Sequence, residues 1–390
     1  MPSPAGQFPN GRNIGVGPMI DRPTVIVAAY SARALASSAT RAGFAPLSID
    51  VFGDDDTREM SFASVKLDGG LSEGLTLDKV VCAVEMLISA HDPVGLIYGA
   101  GFEHQPEIIA AIARRTRIFG NRAETLKRAK DPAALARVCE ANGVRHPQVA
   151  FAPPDEPERW LMKKQGAAGG AHIAVAHEAS GASPDCYYQL RVTGESISAL
   201  FLASETRTEI IGLSMQWAAP TPASRFRYGG AAGPVDIDPA QAEEIVRSVA
   251  AIASELNLVG LSSADFLVSH DAVWLIEVNP RPGATLDVFE SNESPLFARH
   301  VGACEGRLAP TSPSLAFKAA EIVYAPCDIV APEGRSWPDW AVDRSPPGTR
   351  FSAGDPLCTV LGSGATVDLA RACASERAQK IIALVQEADH

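Results

Sequence analysis

Up to residue 120, apolar strand-like stretches alternate with helical patterns, and this alternation constrains the fold more than any other feature of the sequence. TVIVAA at 24–29 is β-branched and apolar, as expected of a buried strand, and an Ala-rich helix follows it to Arg41. Further strands and helices are predicted at 46–52, 77–89 and 95–98. Because alternating strands and helices form parallel sheets covered on both faces, we predict an N-terminal parallel α/β domain over 23–120, preceded by a flexible arm at 1–22.

Two helical stretches are predicted after residue 120, and the pattern changes from about residue 147 to 305. Strands are then predicted to pair through short turns, as in 187–192 with 196–202 around Thr193-Gly194, and a long amphipathic helix is predicted at 239–256. This composition of elements predicts a mixed α+β domain over 121–305. A small β-rich C-terminal domain over 306–390, ending in a helix near 367–387, completes the predicted layout.

Charge and composition exclude several classes of protein. The net charge is −12 over 390 residues, and no dense cluster of Lys and Arg is present. Since nucleic-acid binding relies on such clusters, we expect no nucleic-acid partner. No apolar run is long enough to cross a bilayer, and the seven Cys are scattered without a CxxC pair. We therefore expect a cytoplasmic protein with reduced thiols, no zinc site and no membrane partner.

The segment 264–287 carries the densest chemical signal. ADFLV and VWLIEV are predicted to be two strands joined by a turn, so that Asp265 and Glu277 lie at neighbouring strand ends. Asn279 is two residues beyond Glu277 and therefore points to the same face. Mg²⁺ prefers oxygen ligands, and these three side chains would form its site. The alternative is that both carboxylates are exposed strand ends and NPRPG is only a turn.

Two further elements lie upstream. An apolar strand ends in Lys163-Lys164 and is followed by Gly166, Gly169 and Gly170. Glycines let backbone N–H groups approach phosphates, although the P-loop order is absent and a purely structural turn is the alternative. The segment YYQLRVTGE at 187–195 offers a strand backbone and polar side chains that can contact an adenine edge and a ribose; an ordinary hairpin is its alternative.

Taken in order, these elements resemble the ATP-grasp superfamily. The order is Lys130-Asp131, Lys163 before a Gly-rich loop, QLRVTGE, Asp265 and then EVNPR at 277–281. The resemblance covers about 120–290, and EVNPRPG is its most specific part. It implies a central ATP-grasp domain that binds ATP between two α+β subdomains. It also implies an enzyme that activates a carboxylate as an acyl phosphate for attack by an amine.

The resemblance implies roles for individual residues by position. Contacts with the ATP phosphates would come from Lys130, Lys163, Gly169 and Gly170. The adenine and ribose would be contacted by Gln189, Leu190, Val192 and Glu195. The metal ion, Mg²⁺ or alternatively Mn²⁺, would be held by Asp265, Glu277 and Asn279. Arg281 would face the acyl phosphate and, with Lys163, act in catalysis.

The substrates are less constrained by the sequence. Arg33, after the first strand, is a candidate to hold a carboxylate at a helix N-terminus, or else a surface residue. The segment RFRY at 225–228 is a candidate to line the substrate cleft, or else a surface loop.

Within the superfamily, carboxylate–amine ligases acting on amino acids or small cofactor precursors look most similar, with a tyramine–glutamate ligase-like reaction as one option. The alternatives are a purine-pathway-like carboxylase or formyltransferase, and a nucleotide-binding protein without catalysis. The expected partners are a small-molecule carboxylate, an amine and a second copy of the chain in a homodimer.

Overall fold

The computed structural model describes residues 22–179, 183–308, 316–331 and 337–386. The predicted N-terminal arm therefore lies outside the described residues except for Arg22, as does Glu387 at the end of the predicted C-terminal helix. Within these ranges, no helix combines the length and the apolar composition needed to span a membrane.

The N-terminal domain contains a parallel four-stranded sheet, as predicted. Its strands are β1 (Thr24–Ala29), β2 (Ala45–Asp50), β3 (Ala63–Lys66) and β4 (Leu96–Tyr98). Its helices are α1 (Arg33–Arg41), α2 (Asp55–Met60), α3 (Gly70–Glu73), α4 (Leu77–His91) and α5 (Pro106–Ala113). The strand order is β3-β2-β1-β4, with β1 in the middle.

Strand β1 is apolar along its whole length because both of its faces are buried. Ile26 and Ala28 belong to the core of the N-terminal domain, whereas Val25 and Val27 belong to a core shared with the central sheet described below. The apolar side chains of β1 thus contribute to two hydrophobic cores, one on each face of the parallel sheet.

Two helices and a small antiparallel sheet follow. The helices are α6 (Ala123–Lys130) and α7 (Pro132–Ala141). The strands are β5 (Val149–Ala150), β6 (Trp160–Lys164), β7 (Ala174–Val175) and β8 (Cys186–Leu190), in the order β5-β8-β6-β7, with 3₁₀ turns at Pro157–Arg159 and Ala176–Glu178. Asp131 caps α7 by accepting a hydrogen bond from the backbone N–H of Ala134 at 2.9 Å. This cap also fixes the end of α6 at Lys130.

The remaining elements build one large antiparallel sheet. They begin with β9 (Glu195–Ala203), β10 (Thr208–Ala218), β11 (Tyr228–Gly233), α8 (Pro239–Glu255), β12 (Gly260–Ser269) and β13 (Ala272–Asn279). They continue with α9 (Leu286–Phe289), α10 (Leu296–Cys304), β14 (Phe317–Tyr324), β15 (Ile329–Val330), β16 (Ala341–Val342), β17 (Arg350–Phe351), β18 (Pro356–Gly364) and α11 (Val367–Gln386).

The central sheet has eight strands in the order β13-β12-β9-β10-β11-β14-β18-β16, while β15 and β17 pair separately. The C-terminal strands therefore extend the central sheet, because β14 pairs with β11 across the predicted boundary at 305/306. Helix α8 covers one face of the strands around β9, and α11 packs on β14 and β18. The strand-rich C-terminal region was predicted; its continuity with the central sheet was not.

One predicted pairing is wrong. The segments 187–192 and 196–202 do not form a hairpin, because β8 pairs with β5 and β6 while β9 pairs with β10 and β12. Residues 191–194 instead connect two different sheets. A strand–turn–strand pattern is locally the same whether the second strand folds back on the first or joins another sheet, so the sequence could not separate the two cases.

Candidate active site

The hairpin β12–β13 brings the predicted metal-binding side chains together. Asp265 pairs directly with Glu277, at the neighbouring strand ends that the sequence predicted, and Ser263 pairs with Asn279. The register shifts between Asp265 and Phe266, so that Ile276 has no partner and forms a β-bulge.

The bulge changes which face of β13 each residue occupies. Leu275 and Val278 both belong to the core beneath α8, although they are three residues apart. In a regular strand Glu277 would share the face of Leu275 and point into that core. The extra residue places Glu277 and Asn279 on the opposite face, together with Asp265.

Hydrogen bonds tie these side chains into one network. The Asn279 Nδ2 group donates to Asp265 Oδ2 at 2.9 Å, and the Ser198 hydroxyl donates to Asp265 Oδ1 at 2.6 Å. The Lys130 ammonium donates to Glu277 Oε1 at 2.5 Å and to Asn279 Oδ1 at 2.7 Å. Lys130, the last residue of α6, therefore joins strand β13 to the preceding helices.

Charge separates the two carboxyl groups. Loss of solvent contact would raise the pKa of Glu277, but the ammonium groups of Lys130 and Lys163 lower it to about 2. Burial and repulsion from Glu277 raise the pKa of Asp265 above its usual value. One carboxylate is thus firmly ionised, and the other gains most from an additional cation.

Lys163 lies on β6 of the small sheet and points across the cleft toward this network. Its ammonium donates to Gln189 Oε1 at 2.7 Å, and the two residues sit on adjacent strands. Lys163 is 5% exposed, and burial lowers its pKa. A lysine held this way presents its charge with little solvent screening.

The glycine-rich loop after β6 closes over the cleft. Gly166, Gly169 and Gly170 all have positive φ angles, which other residues rarely adopt. The carbonyl of Gly169 accepts a hydrogen bond from the N–H of Tyr228 at 2.9 Å. A Cβ atom on Gly170 would lie 1.9 Å from the carbonyl oxygen of Phe226. The loop is therefore in direct contact with Phe226, just before β11, and with Tyr228, the first residue of β11.

Arg281 is buried beside the network and has a partner that the sequence analysis missed. Its Nε donates to Glu103 Oε1 at 2.7 Å, and Glu103 is 3% exposed. Burial would raise the pKa of Glu103, but Arg281 and Lys130 hold it below its usual range. Glu103 follows β4 in a Gly-rich turn, and the carboxyl end of a parallel strand is the usual location of functional groups in such sheets. Its place just after a predicted parallel strand is the sequence feature from which Glu103 could have been identified.

The network, Lys163 and the glycine loop line a cleft with a volume of about 1010 Å³ between the two sheets. Of the predicted nucleotide-binding residues, the cleft is lined by Lys163, Gly169, Gly170, Gln189, Leu190 and Val192. The predicted metal-binding residues and Arg281 line it as well. Lys130 instead lines a small adjoining cavity that shares Lys163 and Glu277 with the cleft.

Two predicted nucleotide contacts are placed differently from the rest. Glu195 is exposed at the start of β9 and is not among the residues that line the cleft. The backbone N–H of Leu190 donates to the carbonyl of Gln148 at 2.8 Å, so it is already engaged within the small sheet.

The two substrate candidates have different outcomes. Arg33 neither lies on the surface nor is free to hold a carboxylate: it is 5% exposed and pairs with both oxygens of Asp287 (2.5 and 2.6 Å) and both oxygens of Asp343 (3.1 Å each). The RFRY segment does reach the cleft, which Phe226, Arg227 and Tyr228 line. Arg225 points away and pairs with Glu178.

The residues present fit a nucleotide-bound divalent metal ion. In the described ranges, no group of three or more His, Cys, Asp or Glu side chains is placed to hold a metal ion. Two carboxylates with an amide oxygen are what Mg²⁺ uses when substrate phosphates complete its coordination.

The cleft between the two antiparallel sheets thus combines metal-binding oxygen atoms, lysines and a glycine loop. This combination is typical of a protein that binds a nucleoside polyphosphate together with a metal ion. Residues 129–285 match the model of a family described as the ATP-grasp domain. The central ATP-grasp domain that the sequence predicts is therefore confirmed over residues 129–285.

Solved structures agree with this assignment along nearly the whole chain. An N5-carboxyaminoimidazole ribonucleotide synthetase from Thermus thermophilus is 13% identical, with a TM-score of 0.66 over 91% of this chain and 98% of that one. A biotin carboxylase domain from Hydrogenobacter thermophilus has 13% identity, a TM-score of 0.68 and coverages of 89% and 87%. An L-amino acid ligase from Bacillus licheniformis has 13% identity, a TM-score of 0.63 and coverages of 94% and 98%. At this identity the likeness establishes the fold.

Proposed function

We propose that the protein is an ATP-dependent ligase that joins a small-molecule carboxylate to an amine of an amino acid or a small cofactor precursor. The observation that carries the proposal is the convergence of Asp265, Glu277, Asn279 and Arg281 on one wall of the cleft, with Lys130 bonded to Glu277 and Asn279 from the adjoining cavity. A protein that only binds nucleotides has no need of a complete set of metal ligands beside a buried arginine.

The roles of the residues follow from their positions. Phosphoryl transfer from ATP would activate the carboxylate, and a divalent metal ion would neutralise the phosphates. Asp265, Glu277 and Asn279 would hold the metal ion, while Lys130 and Lys163 would bind phosphate oxygens. Arg281, fixed by Glu103, would stabilise negative charge on the activated carboxylate. The glycine loop would exclude water from the activated group.

Structural neighbours support the reaction class and leave the substrates open. The biotin carboxylase domain was crystallised as a dimer with MgADP, and the Bacillus licheniformis protein is an amino acid ligase. We therefore retain small-molecule substrates and a homodimer as proposals. A purine-pathway-like reaction is the alternative; in it Arg33, which Asp287 and Asp343 neutralise, would offer no free charge to a phosphorylated substrate.

The proposal is tested by Glu277→Gln. The change keeps the shape of the side chain but removes a metal-binding charge, so ATP-dependent ADP release with a panel of amino acids and amines should fall at least about a hundredfold. Far-UV circular dichroism should remain that of the wild type, because Gln can still accept the Lys130 hydrogen bond.

The matched control is Glu255→Gln at the exposed end of α8, which should leave ADP release unchanged. Wild-type turnover in Glu277→Gln would refute the metal site. Absence of any ATP–Mg²⁺ stabilisation of the wild-type protein in a thermal-shift assay would refute the proposed function itself.

A further inference from the structure

A group of acidic side chains lies in the same cleft but outside the nucleotide and metal network. Asp54, Asp287 and Asp343 all line the cleft, together with Ser31 and Arg33. We call these five residues the acidic end. Arg33 is the one cation among them, and three carboxyl groups surround it.

Two of the three carboxylates are fully engaged by Arg33. Asp287 binds its terminal nitrogens, and Asp343 binds Nε and one terminal nitrogen. Asp343 also accepts a hydrogen bond from the Ser31 hydroxyl at 2.8 Å. The side chains of Asp287 and Asp343 remain 15% and 18% exposed, so each still presents surface to the cleft.

Asp54 is the exception. It is 1% exposed, and its buried Oδ2 atom has no hydrogen-bond partner. Asp54 occupies the position before α2 where an Asp normally caps the helix, yet its side chain makes no capping bond. A buried acceptor without a partner is costly, and a ligand in the cleft that supplies a donor would remove this cost.

The charges around Asp54 select the kind of donor. Burial, followed by repulsion from Asp343, Asp50 and Asp56, raises its pKa to about 9, and Arg33 offsets this only in part. A cation placed against Asp54 and Asp343 would relieve this repulsion and return the pKa of Asp54 toward its usual range. A neutral donor would leave the repulsion in place.

Two further observations favour an organic cation over a metal ion. The cleft, with a volume of about 1010 Å³, is large enough for an organic molecule. The buried hydroxyl of Tyr228, which also lines the cleft, has no hydrogen-bond partner either, and burial, followed by the charges of Asp265 and Asp287, raises the pKa of this tyrosine. A ligand with polar groups beyond its charge would find a second partner there.

We propose that the acidic end is the binding subsite for a protonated amine of the ligase's second substrate, with Asp54 and Asp343 as the residues that select it over uncharged analogues. The inference rests on the proposed function, because it names the substrate that shares the cleft with the activated carboxylate. Before ligation the bound ammonium would transfer one proton to the Asp54 carboxylate, and the free amine would then attack the acyl carbon and displace phosphate. It predicts that the acceptor substrates are cationic small molecules.

The experiment compares primary amines with the alcohols that replace each amine by a hydroxyl: tyramine with tyrosol, and putrescine with butanediol. Thermal shifts of the full-length protein are measured at millimolar concentration, with and without ATP–Mg²⁺. We expect at least one amine to raise the melting temperature more than its alcohol does. In Asp54→Asn this difference should disappear, and for an amine that is turned over the KM should rise about 10- to 100-fold with little change in the KM for ATP.

Asp78→Asn, on the exposed face of α4, is the matched control and should retain the difference. Asp54→Ala gives a second test should the Asn variant misfold. The inference is overturned if amines and alcohols shift the protein equally, if the shift survives in both Asp54 variants, or if potassium chloride reproduces it. Loss of the ATP–Mg²⁺ shift in the wild type would instead count against the proposed function, and the amine comparison without nucleotide would still decide the inference.

Discussion

The contact between the glycine loop and the segment before β11 predicts different effects for two neighbouring substitutions. Gly169 and Gly170 have nearly the same φ angle, +77° and +73°. A Cβ atom on Gly169 would meet nothing within 4 Å, whereas one on Gly170 would lie 1.9 Å from the Phe226 carbonyl oxygen. Gly169→Ala and Gly170→Ala therefore share their backbone strain and differ in a single contact.

The size of the difference follows from this geometry. Each Ala incurs roughly 1–2 kcal/mol for its left-handed conformation. In Gly170→Ala the loop must also move by about 1.5 Å, the difference between 1.9 Å and the 3.4 Å at which ordinary contact begins. That movement breaks the 2.9 Å hydrogen bond between the Tyr228 N–H and the Gly169 carbonyl, at a cost of about 1 kcal/mol. The closed loop is thus destabilised by about 1–2 kcal/mol more in Gly170→Ala than in Gly169→Ala.

The assay is steady-state ADP release as a function of ATP concentration. If the loop must close on bound nucleotide, the KM for ATP should be roughly 5- to 30-fold higher in Gly170→Ala than in Gly169→Ala, since each 1.4 kcal/mol corresponds to a factor of ten. Both variants should keep melting temperatures close to each other, because the loop adds little to the core. Equal KM values for ATP in the two variants would show that the contact between Gly170 and Phe226 has no part in ATP binding.

Two further predictions concern stability. Asn121 is 1% exposed; its side chain accepts a hydrogen bond from the Val259 N–H and donates to the carbonyls of Val259 and Pro280. Asn121→Ala should therefore lower the melting temperature by several degrees and reduce turnover, because Arg281, next to Pro280, would be displaced. Asn142→Ala, at an exposed position, should change neither quantity, and a fall in both variants would contradict the prediction. Because burial and the charges of Asp343, Asp50 and Asp56 raise the folded-state pKa of Asp54 to about 9, its contribution to stability is complete below about pH 4 and is lost as the pH rises toward 9. The stability gained by Asp54→Asn in urea unfolding should therefore grow from pH 5 to pH 8 by on the order of 1 kcal/mol per pH unit, and a pH-independent gain would refute the assignment.

Features that depend on local periodicity could be predicted from the sequence. Strand β1 was predicted at its observed bounds, and the hairpin β12–β13 was predicted with the correct neighbours, because apolar runs and i, i+2 spacing are properties of a short segment. The convergence of Asp265, Glu277 and Asn279 followed from the same spacing.

Features that depend on contacts between distant segments could not be predicted. Arg33 is paired with Asp287 and Asp343, which lie 254 and 310 residues further along the chain, and Arg281 is paired with Glu103 across 178 residues. A single sequence contains no signal for such partners. The same limitation explains why β8 and β9 were joined into a hairpin: the choice of sheet is made by the packing of α8 and the N-terminal domain against β9, not by the turn between the strands.

The bulge at Ile276 has a consequence for how this site tolerates change. Side chains on β13 alternate between the hydrophobic core and the cleft, and the bulge shifts this alternation by one residue. Before Ile276 the odd-numbered residues face the core, and after it they face the cleft. A substitution on one side of the bulge therefore leaves the alternation on the other side unchanged. Deletion of Ile276 would remove the bulge, so that the Glu277 carboxylate would point toward the apolar layer under α8. The chemistry of the protein thus depends on the number of residues in this strand as much as on their identity, and an aliphatic residue that touches no phosphate becomes indispensable to the site.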